Sequence, residues 1–220
     1  MKAARKGRAP GRKKFGEYLR VEQLVGLAAE LQSLRGHHPL TKRRDGKYEG
    51  DILGFVRGLR LSSRVIYFLR DWLSGEDLSV NWGHLLAPNN ESCSPECDVV
   101  VHSKGEVRKW NDRKDAIMVF AFVEASKARA IVSCKSKLTA IDKQYPKALR
   151  KYGVRNIFLF AECCKESDFA RLRKEAKRAG YAGLWCLYLT EGPTIKEDES
   201  TYVEFGNAVA EAVKKSKAKR

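Results

Sequence analysis

Three apolar stretches of strand length punctuate the second half of the chain, and the spacers between them constrain the fold most. Ala130–Lys135, Ile157–Cys163 and Leu184–Leu189 are rich in β-branched, aromatic and cysteine side chains. Between them, Leu138–Tyr152 and Ser167–Arg178 carry apolar residues at helical spacing, the second closed by Gly180. Such β-α-β-α-β alternation demands crossover helices and parallel strands, and each strand is apolar throughout because it is covered on both faces. Pro146 falls inside the first of these helices and predicts a kink or a boundary there. An α/β layer is therefore expected from about Ile131 to Leu189.

The residues before it read differently. Phe15–Leu34 and Gly50–Leu73 have helical apolar periods, the second through Leu53, Val56, Leu59, Val65, Leu69 and Trp72, as one helix or as two broken near Leu61-Ser62-Ser63. After Gly75, Leu78–Trp82 alternates as a strand, Pro88-Asn89-Asn90 marks a turn, and Asp98–His102 is a second strand, so a hairpin is expected. A further strand is predicted within Ile117–Val123, and Val203–Lys215 reads as a closing helix.

Charge narrows the partner. The 220 residues hold 43 Lys and Arg against 27 Asp and Glu, a net charge of +16. Residues 1–14 and 214–220 contribute 12 of those cations and no acid, which leaves 31 against 27 in the body. The excess thus sits in two stretches that read as disordered basic tails, of the kind that bind phosphate polyanions in a salt-dependent way. The expected organisation is a basic tail over 1–14, a helix and basic loop over 15–46, a domain over 47–213 and a second tail over 214–220. With no apolar run long enough to span a bilayer and no secretory h-region, a soluble cytoplasmic protein is expected. Six cysteines in such a chain read as reduced thiols, and neither Cys93-x3-Cys97 nor Cys163-Cys164 has the C-x2-C spacing of a zinc knuckle.

Chemistry concentrates in two short segments. Ser94-Pro95-Glu96-Cys97-Asp98-Val99-Val100-Val101 opens a strand with a carboxylate, and about 35 residues further on Ala130–Leu138 closes a strand with Lys135, where a helix is expected to begin directly. Asp98 suits a divalent cation and Lys135 suits a phosphate or an attacking water. The competing readings are a turn residue capping the hairpin and a lysine reaching solvent.

The order helix, hairpin with S-P-x-x-D-h-h-h, strand with h-x-x-K-S, then helix resembles the PD-(D/E)XK restriction-endonuclease-like superfamily, over roughly Gly50 to Leu189. The resemblance implies a mixed β-sheet flanked by helices, with an N-terminal helical segment before it. It also implies phosphodiester hydrolysis with Mg2+ or Mn2+, DNA rather than RNA as substrate, a prokaryotic restriction or defence setting and a homodimer. By that match the acid of E-x-K falls on Ser133, and no acidic residue stands between Asp51 and Asp71 on the preceding helix, where members often carry a glutamate. Glu124, nine residues before Ser133, is the expected replacement. The expected site is Asp98, Glu124, Ser133 and Lys135, with Asp98 and Glu124 as metal ligands. Lys127, Arg129, Lys137, Lys143, Lys147, Arg150 and Lys151 flank it as a nucleic-acid track. The alternative is a nuclease fold that has lost turnover and serves as a binding or complex-forming subunit; a basic RNA-particle component is a third possibility.

Overall fold

The computed structural model describes residues 50–88, 92–105, 108–109, 120–191, 194–197 and 200–217. The expected tail over 1–14, the helix and loop over 15–46 and the turn at Asn89-Asn90 lie outside the described residues, as do positions 117–119 of the expected fourth strand.

A single helix, α1 (Gly50–Trp72), leads into a hairpin of β1 (Leu78–Leu86) and β2 (Cys97–Ser103). There follow β3 (Arg108–Lys109), β4 (Phe120–Glu124), a 3-10 turn over Ala125–Lys127 and β5 (Ala128–Leu138). Next come α2 (Gln144–Arg150), β6 (Ile157–Lys165), α3 (Glu166–Ala179), β7 (Gly183–Glu191), β8 (Thr194–Glu197) and α4 (Ser200–Lys217). The strands form one sheet in the order β3-β4-β1-β2-β5-β6-β7-β8. Pairs β1–β2, β2–β5, β3–β4 and β7–β8 are antiparallel, whereas β1–β4, β5–β6 and β6–β7 are parallel. The result is the expected mixed α/β fold, with the three parallel strands read from the sequence at its centre.

The apolar runs are continuous because they feed two cores. Val99, Val101, Val132 and Phe160 face a cluster with Val65, Phe68 and Leu69 of α1 and Phe205 and Val209 of α4. Val100, Ile131, Leu159 and Leu184 point the other way, toward Leu149 of α2 and Leu172 and Ala176 of α3. The strand period of two thus divides each run between opposite faces.

One open alternative is decided and two boundaries depart from expectation. α1 is unbroken, because Ser62 and Ser63 are buried beside Leu61 on its inner side and no Gly or Pro interrupts it there. The helix expected over Leu138–Tyr152 shrinks to α2, since β5 stays paired with β6 as far as Leu138 opposite Cys164. Asp142 Oδ1 then accepts the amide hydrogens of Gln144 at 2.9 Å and Tyr145 at 3.1 Å, and Pro146 lies in the first turn, where its missing N–H costs no bond. Lys135 is therefore inside a strand and not at the start of a helix. Finally, α4 runs to Lys217, four residues into the stretch expected as a tail, while 218–220 lie outside the described residues.

Glycine is required at Gly83, where the β1–β2 register shifts. It has φ +154°, and a Cβ there would lie 1.8 Å from the Ala121 carbonyl oxygen on β4. Gly180 closes α3 at φ 102°, its amide bonded to Ala176 and Lys177 carbonyls as anticipated. All six cysteines are free thiols. No described helix is long and apolar enough to cross a membrane.

Candidate active site

β2 begins at Cys97 whereas β5 continues to Leu138, so the far end of β5 lacks a partner strand on the β2 side. Asp98 fills part of the gap: its Oδ2 accepts the Cys134 amide hydrogen at 2.8 Å. The segment before it is fastened to β1 through Ser94, whose hydroxyl oxygen accepts the Leu85 amide at 2.9 Å and whose own amide donates to the Leu85 carbonyl at 2.8 Å. That explains the serine of the motif, which sets the direction in which β2 starts. Tyr145 of α2 adds a bond from its hydroxyl to the Glu96 carbonyl at 3.1 Å.

A pocket of about 360 Å³ lies elsewhere, behind the α1–β1 turn, and the one that matters here has a volume of about 270 Å³. It is lined by Gly58, Leu59 and Ser62 of α1, Trp82, Glu96, Asp98 and the run Cys134–Lys137. It sits at the C-terminal end of a central parallel strand, where open α/β sheets hold ligands. Burial raises the Asp98 carboxyl from 3.8 to about 6; the Cys134 amide, Lys135 and the Ser133 hydroxyl act against that rise, and Glu96 adds to it. At neutral pH the carboxylate is ionised and incompletely compensated, the state in which a cation gains most from joining it.

The structure brings Asp98, Lys135 and Lys137 to this pocket. Ser133 is buried behind Asp98, 3% exposed, on the same face of β5 as Lys135. Glu124 is elsewhere: it pairs with Leu86 in register, is half exposed and forms an ion pair with Lys127 at 3.2 Å. Nine residues in sequence gave no information on which strand its neighbour would be. Arg129 donates to Ser103 Oγ at 2.9 Å near the start of β5, six positions before Lys135 and so about 20 Å along the strand. Lys143, Lys147, Arg150 and Lys151 are exposed on or beside α2, and Arg150 turns toward the Gly180 carbonyl at 3.2 Å.

Sequence reasoning missed Glu96. It lies in the variable part of S-P-x-x-D, and its Oε1 accepts the Trp82 indole N–H at 2.7 Å. Two carboxylates, Asp98 and Glu96, thus line one pocket with two lysines. Among the described residues no group of three or more His, Cys, Asp or Glu side chains is placed to hold a metal ion. Two carboxylates nevertheless meet the small protein donor set with which Mg2+ is commonly held, the remaining positions going to water and substrate phosphate.

Fold and pocket together define a mixed α/β protein with a charged cleft at the end of its central strands. No protein-family model matches the chain, and no curated protein matches it. In solved structures the fold is similar to P. aeruginosa ATCC27853 NucC in its cAAA-bound form, at TM-score 0.51 and 10% identity, covering 88% of this chain and 92% of that one. It is also similar to E. coli MS115-1 NucC in its cAAA-bound form, at TM-score 0.50 and 11% identity, covering 88% and 91%. At these identities the likeness is one of fold.

Proposed function

We propose that the chain is a metal-dependent nuclease of the restriction-endonuclease-like kind, acting on DNA in a prokaryotic defence setting, with Glu96 standing in for the acid that Ser133 replaces. The observation that carries this reading is the largely desolvated carboxylate of Asp98 sharing one pocket with Glu96 and Lys135. Asp98 and Glu96 would hold the cation, which when bound supplies Lewis-acid stabilisation of the phosphate. The Cys134 amide fixes the Asp98 carboxylate, and the Trp82 indole fixes Glu96 while leaving its Oε2 without a hydrogen-bond partner among the described residues. Lys135, exposed at the pocket, is the cation that would meet the reacting phosphate.

A second reading, a nuclease fold retained for binding, is favoured by the buried serine where the second carboxylate of E-x-K would stand. One experiment separates them. Purified protein is incubated with single- and double-stranded DNA and RNA in Mg2+, Mn2+ or EDTA, with and without cAAA, beside Asp98→Asn and Lys135→Ala. Metal-dependent cutting of DNA that both substitutions abolish supports the nuclease. Salt-sensitive retention without cutting supports the binding role. Neither cutting nor retention overturns both. Cross-linking in the same preparation tests for the homodimer.

A further inference from the structure

Beside the pocket, two arginines of α1 face a single carboxylate of β6. Arg60 Nη2 donates to both oxygens of Glu162, at 2.5 and 2.7 Å, and Arg64 Nη1 stands 3.5 Å from Oε1 of the same group. One carboxylate leaves two guanidinium groups with a surplus positive charge. The surplus is partly buried, with the side chains of Arg60, Arg64 and Glu162 35%, 16% and 12% exposed. Both Nε atoms are buried and have no hydrogen-bond partner among the described residues, so Glu162 leaves the pair incompletely satisfied. Burial, and after it Arg60, lowers the Arg64 pKa. Holding α1 to β6 needs only one arginine, and the second adds a desolvated cation whose cost an arriving anion would offset.

The cluster is continuous with the pocket. Lys135 pairs with Ala161 and Lys137 with Cys163, so Ser136 stands opposite Glu162 on the neighbouring strand. Ser136 lines the pocket, as do Gly58, Leu59 and Ser62 from the helical turns that carry Arg60 and Arg64. Strands lie about 5 Å apart, which puts the arginine cluster at the pocket's margin.

We propose that Arg60 and Arg64 form a phosphate site adjoining the pocket, which takes the nucleic-acid backbone next to the phosphodiester held at Lys135. The proposal rests on the nucleic-acid reading above and extends it to a named contact. Arginine suits the task because its planar fork binds phosphate oxygens in pairs, and Glu162 holds one fork in place before the ligand arrives. Such contacts position a backbone without reading its sequence, so Arg60 and Arg64 are positioning residues.

The test is made in EDTA, where no cutting complicates binding. Affinity for a labelled oligonucleotide, single-stranded and duplex, is measured from about 50 to 200 mM salt for wild type, for Arg60→Gln/Arg64→Gln and for Glu162→Gln. Each lost phosphate contact lowers the log–log salt slope by about 0.7 on a single strand and 0.9 on a duplex, so the double variant is expected to lose at least one such step. Glu162→Gln keeps both arginines and an acceptor oxygen to hold Arg60 and removes only the competing charge, so it is expected to bind as tightly as wild type or more so. A folded double variant with an unchanged slope overturns the site and leaves the nucleic-acid reading standing. If the double variant does not fold, weaker binding by Glu162→Gln overturns it. Wild type is also titrated with inorganic pyrophosphate while the Nε–Hε signals of Arg60 and Arg64 are followed by NMR. Shifts there without any oligonucleotide binding support an anion site while overturning the nucleic-acid reading; no shift and no binding overturn both.

Discussion

Asp98→Asn is expected to stabilise the protein while abolishing the proposed cleavage, and the pH dependence of that gain is the informative part. Burial raises the carboxyl from 3.8 to about 6. Between those values the folded state binds more protons than the unfolded one, so this group makes stability fall as pH rises from about 4 to about 6, and the whole loss is present above 6. At 1.36 kcal/mol per pH unit the rise amounts to about 3 kcal/mol, and the partial exposure of the carboxyl brings the expected effect to about 1 to 2 kcal/mol. Asparagine keeps an oxygen for the Cys134 amide and removes the charge. For a chain of this length that corresponds to about 2 to 8 °C in melting temperature. Thermal unfolding followed by circular dichroism in EDTA should show Asp98→Asn melting above wild type at about pH 7.5, with the gap closing toward pH 4. Added Mg2+ should raise the melting temperature of wild type only. A lower melting temperature at neutral pH, or a gap independent of pH, would refute the argument that an uncompensated charge is stored at this position.

Other substitutions probe the frame around it. Glu96→Gln should depress cleavage by at least tenfold while Glu124→Gln leaves it unchanged, and the opposite pattern in a rate assay would return the second acid to β4. Gly83→Ala should cost more than about 3 kcal/mol or prevent folding, because a Cβ would meet the Ala121 carbonyl backbone; a midpoint in urea close to wild type would contradict that contact. Phe205→Ala should cost about 3 to 5 kcal/mol by chemical denaturation, since the ring is fully buried among Phe68, Phe158, Phe160 and Trp185.

The central strands were legible because burial on both faces leaves an uninterrupted apolar run, and α3 was legible because Gly180 ends it chemically. Asp98 and Lys135 could be read for a related reason: each is a charge placed at the margin of such a run. What escaped the sequence depends on tertiary placement. β8 is four residues long and carries Thr, Ile, Lys and Glu, a pattern that pairs only because β7 lies beside it. The sequence overestimates α2 because apolar spacing continues through Leu138 and Ile141, which belong to the end of β5 and the turn after it and not to a helix. Glu96 shows no periodic signal since it is exposed in the segment before β2, and only sequence distance points to Glu124. The pairing of Arg60 with Glu162 joins positions 102 residues apart, beyond any local pattern.

The bond between the Cys134 amide and Asp98 also gives the pocket its own indicator. In an ordinary ladder that hydrogen would be shared with a neighbouring backbone carbonyl, whose charge does not change with pH. Here it is shared with a carboxyl whose pKa burial raises to about 6, so the Cys134 amide resonance should trace the ionisation of Asp98. A ligand that enters the pocket and alters that carboxyl would then be seen from the backbone, without a label on the ligand.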